Sequence, residues 1–244
     1  MKGTKAKKYR LLILLLLLAI TGIVYMGTEG FVIKEITVLG NENIAKEDIV
    51  KRAGIPIKQN IFKFNKELTK ERIESDPYLE VLSIDPKYPD EIVIEVREKK
   101  PSAVIPYLNS YFIIDEKCFI MEIINEPENI EYPLVQDLEI RNFTVGGKLS
   151  TSEEYQTKVL SRVLEAMDKL ELGSLVSEIM MGDPNDVEII LTDGIWVRLG
   201  QAIDMDKKML WLKSDDIKDT ITGFSGGILD LSTPSKPVFY SDEN

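Results

Sequence analysis

The sequence of 244 residues contains no histidine and a single cysteine. The absence of histidine removes the commonest general base, the commonest metal ligand and every Ser-His or Cys-His dyad. One cysteine cannot form an intrachain disulfide, so a domain of this chain must be held together by its apolar core. Because Cys118 lies in an apolar stretch beside Phe119 and Ile120, we predict a buried, unreactive thiol.

Catalytic arrangements that need no histidine are missing as well. The glycine-rich residues 223–227 lack the lysine and the following helix of a phosphate loop. No serine-nucleophile motif has a suitable context, and residues 183–186 lack the remaining ligands of a calcium loop. The neighbouring carboxylates fall in predicted turns or on helix surfaces, where they serve solvation and capping: Asp115 with Glu116, Asp183 with Asp186, and Asp215 with Asp216. We therefore predict that the protein is not an enzyme and has no catalytic residue, metal site or cofactor.

Positive and negative charges are separated along the chain. Residues 1–10 carry five basic and no acidic side chains, and residues 11–26 carry no charge. The remainder holds 25 basic and 41 acidic side chains, a net charge of −16. Nucleic-acid binding needs a basic surface, so nucleic acid is not expected as a partner. Anionic lipid headgroups would repel so acidic a domain, and we expect it to stand off the membrane.

Residues 11–28 form an uncharged, leucine-rich segment that predicts a single transmembrane helix. The basic residues before it and Glu29 after it place the N-terminus in the cytoplasm and the rest of the chain outside. A cleaved signal peptide is the alternative, since a basic start and a leucine run also describe one. The small residues after the leucines do not show the spacing of a cleavage site, which favours an uncleaved anchor.

Residues 31–99 are predicted to fold in the order β-α-α-β-β. Alternating apolar residues and turn residues predict strands at 31–39, 78–84 and 91–96, and helices at 45–53 and 66–75. Asn65 is a candidate cap for the second helix, with Leu68 and Ile73 facing inward.

Residues 101–240 are predicted to form a second, strand-rich domain, followed by an acidic stub at 241–244. A capping box, either Ser150 with Glu153 or Thr151 with Glu154, predicts the start of a helix that runs to about residue 172. A second helix is predicted at 205–217, and no element is predicted between 125 and 149. The predicted strands are 103–107, 111–114, 119–124, 175–181, 187–191, 195–199, 228–231 and 237–240.

The residues at the strand ends and turns of the first domain resemble those of a POTRA domain. Leu39-Gly40-Asn41 closes the first strand, Asp76-Pro77-Tyr78 enters the second, and Tyr88-Pro89 lies in the hairpin before the last strand. A POTRA domain directly after a single membrane anchor is similar to the arrangement in the FtsQ/DivIB family of bacterial cell-division proteins.

The family pattern continues into the second domain, with departures. The family ends its last POTRA strand in Val-x-Glu-Arg-x-Pro, whereas residues 96–101 read Val-Arg-Glu-Lys-Lys-Pro, which we interpret as an inverted Glu-Arg order with the proline retained. Its Asp-x-x-Gly turn is matched by Asp115 but has Cys118 in place of the glycine. Residues 193–200 match Asp-Gly-x-x-Val-x-Leu-Gly, and Lys207 or Lys208 falls where the family carries a lysine.

The resemblance implies a function and a site. Family membership implies a non-enzymatic scaffold of the division septum that links early and late steps of septum assembly. It also implies binding, through the last strands of the second domain, to bitopic coiled-coil division proteins of the FtsL and FtsB/DivIC types. Carried over by position, the partner-binding edge comprises Ile228, Leu229, Asp230, Leu231, Val238, Phe239 and Tyr240.

The sequence therefore predicts an α+β protein with an N-terminal transmembrane helix, a POTRA domain and a mixed, mostly antiparallel β domain with two or more helices. Its predicted location is the cell membrane at the division septum. One alternative is an extracellular, membrane-anchored sensor or ligand-binding module. A POTRA protein of outer-membrane assembly would need a β-barrel, which residues 101–240 do not supply.

Overall fold

A computed structural model describes residues 3–27, 29–126 and 131–241. Contacts within the chain group it into two compact units, Met1–Glu98 and Lys99–Asn244. The α+β class predicted from the sequence is confirmed, because both units combine helices with a sheet.

The first unit begins with the apolar helix α1, Gly3–Met26. Its 24 residues correspond to about 36 Å of helix, enough to cross a hydrocarbon core of about 30 Å. The stretch Lys7–Tyr25 has a mean hydropathy of 1.9, and none of it is buried. A signal sequence would meet the same criteria, so the retained anchor stays a prediction. Met1, Lys2 and Thr28, the last predicted residue of the span, lie outside the described residues.

The remainder of the first unit has the predicted order β-α-α-β-β. Strand β3 lies in the middle of a three-stranded sheet, parallel to β1 and antiparallel to β2. A parallel pair needs a crossover connection, and the two helices lie in that connection. The elements are β1 Glu35–Leu39, α2 Lys46–Ala53, α3 Lys66–Glu74, β2 Leu79–Lys87 and β3 Glu91–Glu98.

The local signals of α2 and α3 account for their ends. Gly54 follows α2 in a left-handed conformation with φ 61°, as a helix-ending glycine does. The predicted Asn65 cap is confirmed, since its side chain accepts a hydrogen bond from the Leu68 N–H. The inward orientation predicted for Leu68 is wrong: that side chain is 41% exposed, and Thr69 is buried beside Ile73 instead.

The second unit is built on a nine-stranded sheet with the order β14-β13-β12-β11-β10-β7-β4-β5-β6. Five of its eight strand pairs are antiparallel, which confirms the predicted mostly antiparallel sheet. The pair β8 and β9 forms a separate ribbon. The strands are β4 Ala103–Tyr107, β5 Ser110–Ile114, β6 Ile120–Ile124, β7 Leu134–Gln136, β8 Ile140–Asn142, β9 Ser150–Thr151, β10 Val176–Met180, β11 Val187–Leu191, β12 Trp196–Gly200, β13 Ile228–Asp230 and β14 Val238–Tyr240.

Three helices accompany this sheet: α4 Glu154–Lys169, α5 Met205–Leu210 and α6 Asp215–Ile221. The apolar stripe of α4 is buried against the inner face of the sheet and includes Val159, Val163 and Met167. One face of the sheet is thereby covered by the core. The alternate residues of strands β11 to β14 lie on the other face, where several of them are exposed.

Three predictions for this unit were wrong. Neither capping box forms, because Ser150 and Thr151 belong to β9 and no side chain caps α4. The helix predicted at 205–217 is interrupted by a short 3-10 turn at Trp211–Lys213. Strands β7 and β8 lie in the segment where no element was predicted, of which residues 127–130 are outside the described part of the chain.

Candidate partner-binding edge

The predicted binding residues lie at one end of the nine-stranded sheet. Strand β14 is the terminal strand, and β13 is the second, paired with β14 on one side and with β12 on the other. The prediction that both segments form the edge is therefore wrong for residues 228–231. Of these two strands, β14 is the one that has an unpaired side among the described residues of the sheet.

The direction of the backbone groups follows from the hydrogen bonds between β12 and β13. The Leu231 N–H donates to the Arg198 carbonyl at 2.8 Å, and the Trp196 N–H donates to the Gly227 carbonyl at 2.9 Å. Ladder hydrogen bonds point to alternate sides along a strand. The backbone groups of Leu229 therefore also face β12.

By the same alternation, the backbone groups of Ile228 and Asp230 face β14. These two residues lie opposite Tyr240 and Val238. The N–H and C=O of Phe239 consequently point away from β13, toward the open side of the sheet. This is the backbone pair that an added strand would use.

The side chains of the seven predicted residues divide between the core and the surface. Leu229 and Leu231 are fully buried and complete the core. The Phe239 ring packs against that core and lies edge-on to Phe224, with 5.2 Å between the ring centroids. Ile228 and Tyr240 are exposed on the opposite face.

An apolar row crosses the exposed face and ends at the open edge. Trp196, Ile228 and Tyr240 are direct neighbours on three adjacent strands, and they are 40%, 39% and 57% exposed. Ile190 of β11 lies opposite Trp196 and continues the row inward. Side chains in such cross-strand positions touch one another and form one surface. We refer to Trp196, Ile228 and Tyr240 as the apolar row.

The sequence prediction missed Trp196, although the sequence contains a signal for it. Ile195, Val197 and Leu199 are buried. Because side chains alternate between the two faces of a strand, Trp196 had to face away from the core. A tryptophan on the solvent side of an amphipathic strand indicates a contact surface.

A charged row lies beside the apolar row. Arg198 Nε is 3.2 Å from Glu188 Oε1 on one neighbouring strand, and Arg198 lies opposite Asp230 on the other. The hydrogen bond to Glu188 and the nearby Asp186 raise the pKa of Arg198. Burial acts to raise the pKa of Asp230, but hydrogen bonds from Ser232 and the charge of Arg198 lower it overall. The apolar row is thus flanked by charges of both signs.

Buried polar contacts hold the segments around the edge in place. Lys208 is the lysine that the sequence left open: it is buried, and its Nζ donates to the carbonyls of Leu199 at 2.7 Å and Gln201 at 2.8 Å. Burial lowers the pKa of this lysine. The Trp211 Nε1–H donates to the Pro234 carbonyl at 2.7 Å and fixes the connection between β13 and β14. These contacts fix the end of β12 and the connection that leads to β14.

Among the described residues, no group of three or more cysteine, aspartate or glutamate side chains could hold a metal ion. Cys118 is fully buried, as predicted, and burial raises its pKa to about 12. A thiol with that pKa is not a nucleophile near neutral pH.

Comparison with known proteins supplies the family. Residues 31–99 match the family described as "POTRA domain, FtsQ-type". The POTRA domain predicted at residues 31–99 is confirmed by this match, which does not include α1. The predicted resemblance to FtsQ/DivIB proteins is confirmed over nearly the full chain by the relatives that follow.

The curated relatives carry cell-division names. The chain is 26% identical to "Cell division protein DivIB" of Clostridium botulinum, over 99% of this chain and 94% of that protein. It is 25% identical to the DivIB of Clostridium tetani, over 86% of this chain and 79% of that protein. The FtsQ of Syntrophotalea carbinolica is 23% identical over 73% of this chain and 63% of its own length. These names support a role in cell division.

The predicted inversion of the Glu-Arg motif at the end of the POTRA domain is wrong. Val96 and Glu98 occupy the first and third positions of Val-x-Glu-Arg-x-Pro, and Lys99 replaces the arginine, so the order is not inverted. The Glu98 carboxylate accepts hydrogen bonds from the backbone N–H groups of Glu42, Asn43 and Ile44 at 2.7 to 2.9 Å. This glutamate ties the last strand to the loop after β1.

The aspartate motif of the second unit forms a turn without its glycine. Asp115 Oδ1 accepts from the N–H groups of Lys117 and Phe119. Cys118 takes the left-handed conformation, with φ 64°, that the glycine would adopt. The Lys99 ammonium lies 3.3 Å from Asp115 Oδ2 and 4.6 Å from the centre of the Phe119 ring. The two motif residues Lys99 and Asp115 thus meet at this turn.

Proposed function

We propose that the protein is a membrane-anchored, non-enzymatic scaffold of the division septum, which links early and late steps of septum assembly. The observation that carries this proposal is the open strand β14 at the end of an exposed apolar row. An incoming strand can bind β14 through backbone hydrogen bonds, while its side chains cover the apolar row. Aromatic and aliphatic side chains at the centre of such a contact supply most of the binding energy.

The proposed partners are bitopic coiled-coil division proteins of the FtsL and FtsB/DivIC types. Such a partner would present a short extended segment outside the membrane and pair it with β14 at Phe239. The charged row of Arg198 and Asp230 would then face the flanks of that segment and set its register.

The proposed topology follows from the charges around α1. The basic residues at its start favour a cytoplasmic N-terminus, and both units would then lie outside the membrane. A fluorescent protein fused to the N-terminus should form a band at midcell before constriction. A uniform outline of the cell would contradict the septal role and favour an extracellular sensor.

Two substitutions of one residue test the binding mode. Phe239→Pro and Phe239→Ala both remove the ring, but only proline removes the outward N–H. Proline is tolerated on an edge strand whose N–H faces outward. We expect Phe239→Pro to weaken binding of co-expressed FtsL- and DivIC-type ectodomains by at least about tenfold relative to Phe239→Ala, equivalent to about 1.4 kcal/mol. Equal affinities would contradict strand addition at this edge.

A further inference from the structure

A continuous series of aromatic rings runs from α1 across one end of the POTRA domain. Tyr25 of α1 contacts Phe31 edge-on, with 5.6 Å between ring centroids. Phe31 contacts Phe62 at 5.3 Å, and Phe62 stacks on Tyr88 at 5.2 Å. We refer to these four residues as the aromatic ladder. It joins the end of the apolar helix, the turn before α3 and the β2–β3 hairpin.

One ring of the aromatic ladder packs against the core, and the other three are exposed. Phe31 packs against the POTRA core. Tyr25, Phe62 and Tyr88 are 63%, 46% and 59% exposed, and Ile57 of the neighbouring loop is exposed as well. A row of exposed rings has no role in the POTRA core, so another apolar or interfacial environment must account for it.

Two of the loops that carry the ladder are basic, whereas the segment that carries Phe31 contains Glu29. Residues 56–63 and 87–89 contain Lys58, Lys63 and Lys87 and no acidic residue. All three lysines are exposed. Asp90, which follows the hairpin, is paired with Lys34 at 2.8 Å. Lysines beside exposed aromatic rings suit the headgroup region of an anionic membrane.

We propose that the aromatic ladder places this end of the POTRA domain in the headgroup region of the outer leaflet of the cell membrane. The inference rests on the proposed membrane anchoring, because the ladder starts at the last turn of α1. Aromatic rings prefer the interface, where the apolar ring and its polar surroundings are both satisfied. The domain is therefore fixed close to the bilayer at this end. This replaces the expectation that the whole domain stands off the membrane.

Spin labels on the full chain in vesicles test the seating. Cys118 is buried, so introduced cysteines can be labelled alone. Lys87→Cys reports beside Tyr88, Leu82→Cys is a control at an exposed site of β2, and Leu16→Cys reports insertion of α1. Accessibility to oxygen and to a water-soluble nickel chelate gives the depth of each label in vesicles of phosphatidylcholine and phosphatidylglycerol.

We expect the label at residue 87 to be protected from the nickel chelate at least about threefold more than the label at residue 82. Adding Phe62→Ser and Tyr88→Ser should remove that difference while the label at residue 16 stays deep. Equal accessibility at 87 and 82 with a deep label at 16 would overturn the seating alone. A water-exposed label at 16 would overturn the membrane anchoring, and the seating with it.

Discussion

The carboxylate of Glu98, at the end of the central strand β3, should stabilise the POTRA domain. It accepts from three consecutive backbone N–H groups and from Asn43 Nδ2. The substitution Glu98→Gln keeps the shape but replaces one acceptor oxygen with a donor, which faces other donors. A hydrogen bond to a charged group contributes about 1.5–3 kcal/mol. Since Glu98 is partly exposed, we expect a net loss of about 2 kcal/mol.

The effect of Glu98 should also depend on pH. Burial acts to raise the pKa of Glu98, but the hydrogen bonds from Ile44, Glu42 and Asn43 lower it below its ordinary value of 4.5. A lowered carboxyl pKa adds stability above the ordinary value, and that stability is lost as pH falls through the lowered pKa. The difference between the native chain and Glu98→Gln should therefore be full at neutral pH and shrink progressively below 4.5.

Urea unfolding and amide hydrogen exchange measure this effect. Glu95→Gln is the matched control, since Glu95 lies exposed on the same strand. We expect Glu98→Gln to lower the unfolding free energy and to speed exchange of the Glu42, Asn43 and Ile44 amides, with little change in the control. If Glu98→Gln behaves like Glu95→Gln at neutral pH, the reasoning is refuted.

Three further predictions concern the second unit. Lys99→Met should lower the unfolding free energy of the second unit by about 3–5 kcal/mol in urea unfolding, because the buried Asp115 charge loses its partner. Adding Asp115→Asn should restore part of the lost stability. A loss below about 1 kcal/mol would contradict the role of the pair. Trp196→Ser should weaken partner binding by about tenfold or more. Leu108→Ser, at an exposed turn outside the apolar row, should leave partner binding unchanged. Equal effects of the two substitutions would contradict the apolar row as the partner-binding surface. Cys118 should resist maleimide at neutral pH in the folded chain and react in urea, since burial raises its pKa to about 12; rapid modification of the folded chain would contradict its burial.

The sequence predicted well what depends on local patterns. The charge-free run of α1, the Asn65 cap and the alternation of the strands are all readable within a few residues, and the β-α-α-β-β order followed from them. The same holds for Cys118, whose burial was visible from its apolar neighbours. Trp196 was equally readable, because its position out of phase with Ile195 and Val197 placed it on the solvent face.

What failed depends on contacts between distant segments. Strand order in a sheet is not a local property, so the sequence could not show that β13 pairs with β12 in parallel and leaves β14 alone at the edge. The predicted capping boxes do not form because Thr151 belongs to β9, where its hydroxyl oxygen lies 2.9 Å from Thr157 Oγ1. The sequence left the tight turn after Asp115 open, because Cys118 stands where glycine is the usual residue.

Partners of the FtsL and DivIC types are proposed to bind at strand β14. The most direct measurement is photo-crosslinking in dividing cells, with p-benzoylphenylalanine in place of Tyr240 and, as a control, in place of Leu108. We expect adducts with these two division proteins from position 240 and none from position 108. No adduct from position 240, or equal adducts from both positions, would contradict it.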